Sequence, residues 1–155
     1  MQNTINVAQA FGLVGEIYDL TPFRVDAYEA AAAVTIGGVA GTNANGEVGP
    51  MGSTYTTFKG IFVRPHEAVN YGTGGGALVA SLAQPAGATV QVMSMGRCVV
   101  EIPASATWAN GADLYVTSAG ALTTTGTNNT LIGKVIVGGA SAATGTKEVA
   151  VIQLG

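Results

Sequence analysis

Residues 90–102 read VQVMSMGRCVVEI, the longest stretch of the chain dense in strand-forming residues, and it contains no proline. In its first half Gln91, Met93 and Met95 fall on one face, and Val90, Val92 and Ser94 on the other. After Gly96 the pattern restarts, with Cys98, Val100 and Ile102 opposite Arg97, Val99 and Glu101. Side chains alternate across a strand, so two half-patterns joined at a glycine predict one long strand bent at a bulge. Such a strand can pair with one sheet before its bend and another after it, as happens at the corners of small barrels and sandwiches.

Shorter patterns flank it. The alanine run in residues 28–40, YEAAAAVTIGGVA, admits a short helix, but β-branched Val34, Thr35 and Ile36 running into Gly37-Gly38 favour a strand that ends in a glycine bend. Asn45-Gly46 is a strong hairpin signal, and Gly49-Pro50 adds a second break. Residues 53–63, STYTTFKGIFV, predict a strand with a bulge at Gly60. Residues 64–76 form a glycine-rich loop, followed by a weak strand at 77–82 and a turn at Pro85-Ala86-Gly87. Pro103 ends the long strand. Residues 113–117 and 122–125 are joined by a turn at 118–121. Residues 131–137 and 147–154 form a final antiparallel pair across a loop at 138–146, with Ala150, Ile152 and Leu154 sharing a face. Short strands separated by turn signals roughly every ten residues predict an all-β fold, a small barrel or sandwich of short antiparallel strands. There is no internal repeat and no linker between two cores, so a β-barrel domain is expected over 28–155.

Residues 1–27 stand apart. The stretch FGLVGEIYDLTPFRVDAY holds Phe11, Tyr18, Phe23 and Tyr28, four of the ten aromatics in 155 residues. Gly12, Gly15 and Pro22 exclude a useful helix, and over the segment as a whole neither helical nor strand periodicity persists. Aromatics and charges on irregular backbone fit two readings: an extended N-terminal arm that binds a partner, or a tail folded over the end of the barrel. As an arm, 27 residues reach at most about 90 Å, enough to cross a neighbouring subunit.

Composition narrows the function. Charged residues make up only 10% of the chain, and glycine contributes 23 positions, against roughly 25% charged and 7% glycine in ordinary domains. A surface of Thr, Ser, Asn, Gly and Ala is cheap to dehydrate and suits a protein packed against others. The net charge of -3, with six scattered Lys and Arg, excludes a basic stripe for nucleic acid. No stretch approaches the roughly 20 apolar residues of a membrane helix, and the N-terminus has no signal-peptide pattern. A product made in the cytoplasm is expected. Cys98, the single cysteine, sits mid-strand among apolar neighbours, as a buried inert thiol would.

Catalytic chemistry is poorly provided for. His66 is the only histidine; His66-Glu67 opens like H-E-x-x-H, but Ala68, Val69 and Asn70 follow, so the second metal ligand is missing. One His and one Cys leave a zinc site dependent on carboxylates, and these do not cluster in the sequence. No G-x-S-x-G elbow marks a nucleophile. Residues 72–77, GTGGGA, match G-x-G-x-x-[GA] formally, but a loop precedes them and no acidic residue follows at the required distance. No enzyme, cofactor or metal is expected. A carbohydrate- or receptor-binding β-module, such as a tail or fibre tip, is the alternative from another class, with Trp108 beside a turn as its candidate sugar platform.

The arm FGLVGEIYDLTPFRV, then FKGIFVRPHE, then VQVMSMGRCVVEIPASATWANGADLYVTSAGALT and the closing VAVIQLG together resemble the structural cement, or capsid decoration, proteins of tailed bacteriophages. The resemblance implies a small β-rich domain on the outer surface of the virion head. It implies a homotrimer with neighbouring cement subunits as partners, and arms lying across the major capsid protein to lock capsomers together. It implies neither catalysis nor a cofactor. The contact positions it implies are Phe11, Tyr18, Pro22, Phe23 and Arg24 on the arm and His66 on the loop.

Overall fold

The structure, a computed structural model, describes residues 14–18, 22–64, 83–144 and 148–155. Among them it has thirteen strands and no helix. The first six are β1 (Arg24–Glu29), β2 (Val34–Thr35), β3 (Val39–Thr42), β4 (Val48–Pro50), β5 (Thr57–Val63) and β6 (Ala83–Gln84). Then come β7 (Thr89–Glu101), β8 (Thr107–Trp108), β9 (Asp113–Val116) and β10 (Leu122–Thr123). The chain finishes with β11 (Thr130–Val137), β12 (Gly139–Ala140) and β13 (Val149–Leu154).

The long central pattern folds as the single strand β7. Its first half pairs with β1, from Glu29 opposite Thr89 to Arg24 opposite Met95, and with β5, which places Ile61 opposite Met93. Its second half pairs with β13, from Leu154 opposite Gly96 to Val149 opposite Glu101. The partner thus changes at the glycine. Between Val25–Met93 and Arg24–Met95, Ser94 is an extra residue in β7, and Gly96 has φ +119°. The consequence is a slip of phase. Met93, an odd position, points into the main core, and beyond the glycine the even positions Cys98, Val100 and Ile102 do so. Only a residue without Cβ fits the corner, because a Cβ at Gly96 would lie 2.6 Å from that of Phe23, and the φ disfavours any L side chain.

The main sheet runs β10-β9-β11-β13-β7-β5-β3-β4, with β1 also on β7; short ladders join β12 to β8 and β2 to β6. This sheet curls on itself. Just beyond β1, Ala30 bridges Val48 of β4, and the Ala31 amide donates to the Val48 carbonyl at 2.8 Å. The turn before β10 reaches the residue after β4, where a Cβ on Gly120 would come within 2.4 Å of the Met51 carbonyl oxygen. The expected all-β fold of short antiparallel strands forms, as a curled half-barrel sheet.

Curling gives the β5–β7 region a buried face on each side. Val39, Ile61, Val63 and Met93 join the main core with Trp108, Leu114 and Ile152. Ala40, Phe62, Val90 and Val92 join a second core with Ala30, Val34, Ile36 and Val48. The run Ile61-Phe62-Val63 is therefore buried at every position, as strands covered on both faces are. The final pair forms as read, with Ala150, Ile152 and Leu154 inward.

Local details follow the turn chemistry. Asn43 Oδ1 accepts the amides of Asn45 and Glu47, both at 3.0 Å, which sets the β3–β4 hairpin. The β5 bulge falls at Lys59, between Gly60 opposite Ala40 and Phe58 opposite Gly41. Two expectations shift. The strand at 28–40 is divided among the end of β1, β2 and the start of β3, because Gly37 sits in a turn at φ +83°. The loop at 138–146 contains β12, which pairs with β8 and leaves Trp108 only 3% exposed. The loop at 64–76 lies, from residue 65 onward, outside the described residues, as does the weak strand at 77–82.

Cys98 takes its place in the main core, where burial pushes its thiol up from 9.0 to about 12. This has a stability consequence. Between those values the unfolded chain loses the thiol proton and the native state keeps it, so unfolding is favoured as pH rises. Chemical denaturation should show stability falling from about pH 9 towards pH 12, by up to about 1.4 kcal/mol per pH unit from this group, and a Cys98→Ala variant should lose that component of the slope. Gly96→Ala should cost about 2–4 kcal/mol through backbone strain and the Phe23 clash. Gly52→Ala, where a Cβ meets nothing within 4 Å, should stay within about 0.5 kcal/mol in the same urea titration.

Candidate functional site

The approach of the N-terminal segment to β7 places the expected contact residues. Gly15 N–H donates to the Val99 carbonyl at 2.7 Å, Val99 N–H returns to the Glu16 carbonyl at 2.9 Å, and Tyr18 N–H donates to the Arg97 carbonyl at 2.9 Å. Ile17 bridges Cys98, and β1 continues in the same antiparallel sense from Met95 to Thr89. Residues 14–18 and 22–29 thus run along β7. β1 starts at Arg24, inside the segment 1–27 expected as an arm.

Of the expected contact residues, Tyr18, Pro22, Phe23 and Arg24 are all exposed on this run. Tyr18 is 39% and Phe23 47% exposed, unusual values for aromatics beside a sheet that could bury them. Phe23 lies over Gly96 at the corner. Arg24 Nε donates to Asp26 Oδ2 at 3.1 Å, an exposed pair that contributes little to stability. Phe11 and His66 lie outside the described residues.

The structure adds two residues that sequence reasoning passed over. Met95 is 44% exposed although it shares an alternation face with fully buried Met93. The extra residue Ser94 and the turn at Gly96 swing it out of the core. Its side chain reaches the C-terminal Gly155, where a Cβ would stand 3.3 Å from Met95 Cγ. Leu131, 57% exposed, precedes a register shift between β11 and β9. Neither feature carries a local sequence signal, because both depend on which strand pairs where.

Met95 and Leu131 flank an open groove of about 530 Å³ whose lining includes Phe58, Ser94, Leu131, Ile132, Gln153 and Gly155. Lys134 donates to Asp113 Oδ1 at 2.8 Å on its wall, and that hydrogen bond, with the nearby carboxylate charge, holds the Lys134 ammonium above its ordinary range. Arg97 Nε donates to Gln153 Oε1 at 3.3 Å nearby. The Lys134 charge at this surface is matched by Asp113 within the chain, and exposed Leu131 lies beside them on the groove.

Such a surface can bury area against another protein; it offers no converging acid, base and nucleophile. Among the described residues no group of three or more His, Cys, Asp or Glu side chains is placed to hold a metal ion. Trp108 is enclosed by the main core, so the indole that a sugar-binding reading requires is not presented at the surface.

No curated protein sequence matches the chain. Among solved structures it is similar to a chain from the capsid of the Myoviridae phage XM1, with a TM-score of 0.65 and 17% identity over 99% of this chain and 96% of that one. At that identity the similarity shows a shared fold. The family model for structural cement proteins (E217 gp24/Pam3 gp6) matches residues 1–155, and on that match along its whole length the chain belongs to the phage structural cement protein family.

Proposed function

We propose that this cement protein sits on the outer surface of a phage head, binds the major capsid protein there, and ties neighbouring capsid subunits together. The observation that carries this reading is the set of exposed apolar side chains Tyr18, Phe23, Met95 and Leu131 on a chain with only 10% charged residues. Soluble monomers keep such side chains dispersed among ions. Here Phe23 lies over Gly96 and Met95 reaches Gly155, which lines the same groove as Leu131, and interface cores are similarly depleted of charge and enriched in aromatics and Met. Covering one such side chain removes up to about 1.5–3 kcal/mol worth of apolar surface from water, part of which offsets the entropy of association.

In this reading Phe11, Tyr18, Pro22, Phe23, Arg24 and His66 are capsid contacts, with Met95 and Leu131 added. The protein acts by binding alone, without a catalytic step or cofactor, and is synthesised in the host cytoplasm before it joins the head. Copies arranged as trimers present several contact surfaces at once, so that individually modest contacts gain from effective concentration. The family assignment favours this role over the tail-fibre alternative, as does the burial of Trp108.

The test is decoration of purified undecorated heads. Phe23→Asp and Met95→Asp should each weaken binding by about tenfold or more, the loss expected when an anchor worth about 1.4 kcal/mol is removed. Their urea unfolding midpoints should stay near that of the parent chain, since both side chains are exposed. Binding of both variants at parental affinity and stoichiometry would refute this surface as the head contact.

A further inference from the structure

The tripeptide Ala-Asn-Gly occurs at 44–46 and again at 109–111. An asparagine followed by glycine is a thermolabile pair, because glycine has no side chain to keep its backbone nitrogen away from the preceding carboxamide. Over these residues the two copies are chemically identical. Asn45, Gly46, Asn110 and Gly111 are all exposed. A Cβ on Gly46 or on Gly111 would meet nothing within 4 Å, so space does not separate the copies either. Hydrogen bonding does.

At the second copy both reacting groups are tied to a strand. Asn110 Oδ1 accepts the Gly138 amide at 2.8 Å. The Gly111 amide donates to the Val135 carbonyl at 2.7 Å, and the Val135 amide donates to the Ala112 carbonyl at 2.9 Å. Val135 is fully buried in β11. Freeing the Asn110 carboxamide and the Gly111 nitrogen together requires the turn to part from β11 and from the residue that follows it.

At the first copy the bonds stay within the hairpin tip. Asn43 Oδ1 accepts the Asn45 and Glu47 amides, and Asn43 Nδ2 donates to Glu47 Oε2 at 2.6 Å. The Gly46 amide donates to the Asn43 carbonyl at 3.0 Å, and the Asn43 amide to the Glu47 carbonyl at 3.2 Å. Among the described residues none forms a hydrogen bond with the Asn45 carboxamide. The Gly46 nitrogen is released whenever residues 43–47 fray, and local opening at an exposed loop tip is far easier than separation of a buried strand.

We infer that Asn45 is a site of self-modification in the folded protein and that the fold keeps Asn110, in the same tripeptide, unreactive. The Gly46 nitrogen gives its proton to solvent and attacks Asn45 Cγ. The new N–Cγ bond closes a succinimide, the Cγ–Nδ2 bond breaks, and Nδ2 leaves as ammonia. Water then opens the ring at either carbonyl, leaving aspartate or isoaspartate. Nothing is oxidised or reduced, and water is the co-reactant. The product adds one negative charge to a chain whose net charge is -3, at a tip where Glu47 already carries one. In the isoaspartate form the backbone between β3 and β4 gains a methylene, close to the point where Val48 bridges Ala30. The change accumulates with time and so records the age of the molecule. It does not depend on head binding.

Peptide mapping by mass spectrometry tests this on the full-length chain, kept folded at mildly alkaline pH, with isoaspartate separated from aspartate by chromatography. Conversion at Asn45 should run about tenfold or more ahead of conversion at Asn110. In concentrated urea, where both tripeptides are free, the two rates should converge. An Asn45→Gln variant should lose most of the mass gain of the intact folded chain and keep the parental urea midpoint. Conversion of Asn110 in the folded chain as fast as Asn45, or faster, would overturn the inference. So would a folded chain in which neither residue converts while both do in urea, or a mass gain that persists at the parental rate in Asn45→Gln.

Discussion

The corner in β7 is the constraint on which the rest of this protein depends. One strand serves two sets of partners, and it can do so because an inserted residue and a glycine at positive φ change both its direction and the phase of its side chains. Without the slip, the alternation that buries Met93 would bury Arg97, Val99 and Glu101 and expose Cys98, Val100 and Ile102. A shift of one residue moves an entire hydrophobic set to the other face. The bulge is therefore what lets a single core continue from β5 into β13.

The same corner produces the exposed apolar surface proposed as the head contact. Where β7 turns, Ser94, Met95 and Gly96 leave the regular ladder, Phe23 closes over the glycine, and Met95 is swung outward towards Gly155. Apolar side chains that the pattern would assign to the interior appear outside, in a neighbourhood whose charges are already matched in pairs such as Arg24–Asp26 and Lys134–Asp113. A protein with few ions to desolvate loses little when such a surface is covered, which fits membership of a family whose work is done by being bound.

Much of this was legible in the sequence. The hinge at Gly96, the Asn45-Gly46 hairpin and the inward face of β13 are local patterns that formed where the residues indicated, and the β5 bulge formed one residue before the expected Gly60, at Lys59. The exposed aromatics Tyr18 and Phe23 were recognisable from their setting among glycine, proline and charges. The fate of Trp108 was not, since β8 and β12 are two-residue strands that pair across about thirty residues of chain. Nor was the docking of residues 14–18 on β7, which depends on Arg64 and Gly37 arriving beside Gly15 from distant positions.

By itself the amino-acid order determined the strand periodicities, the turn positions, the scarcity of charge and the lack of a catalytic motif, because these rest on interactions between residues close in the chain or on composition alone. Tertiary structure decided which edges are paired and which stay open, how far the sheet curls, and which of two methionines on one alternating face is buried. Those outcomes follow from strand pairing between residues far apart in the chain. A one-residue difference in that pairing reverses every face, and no local pattern records it.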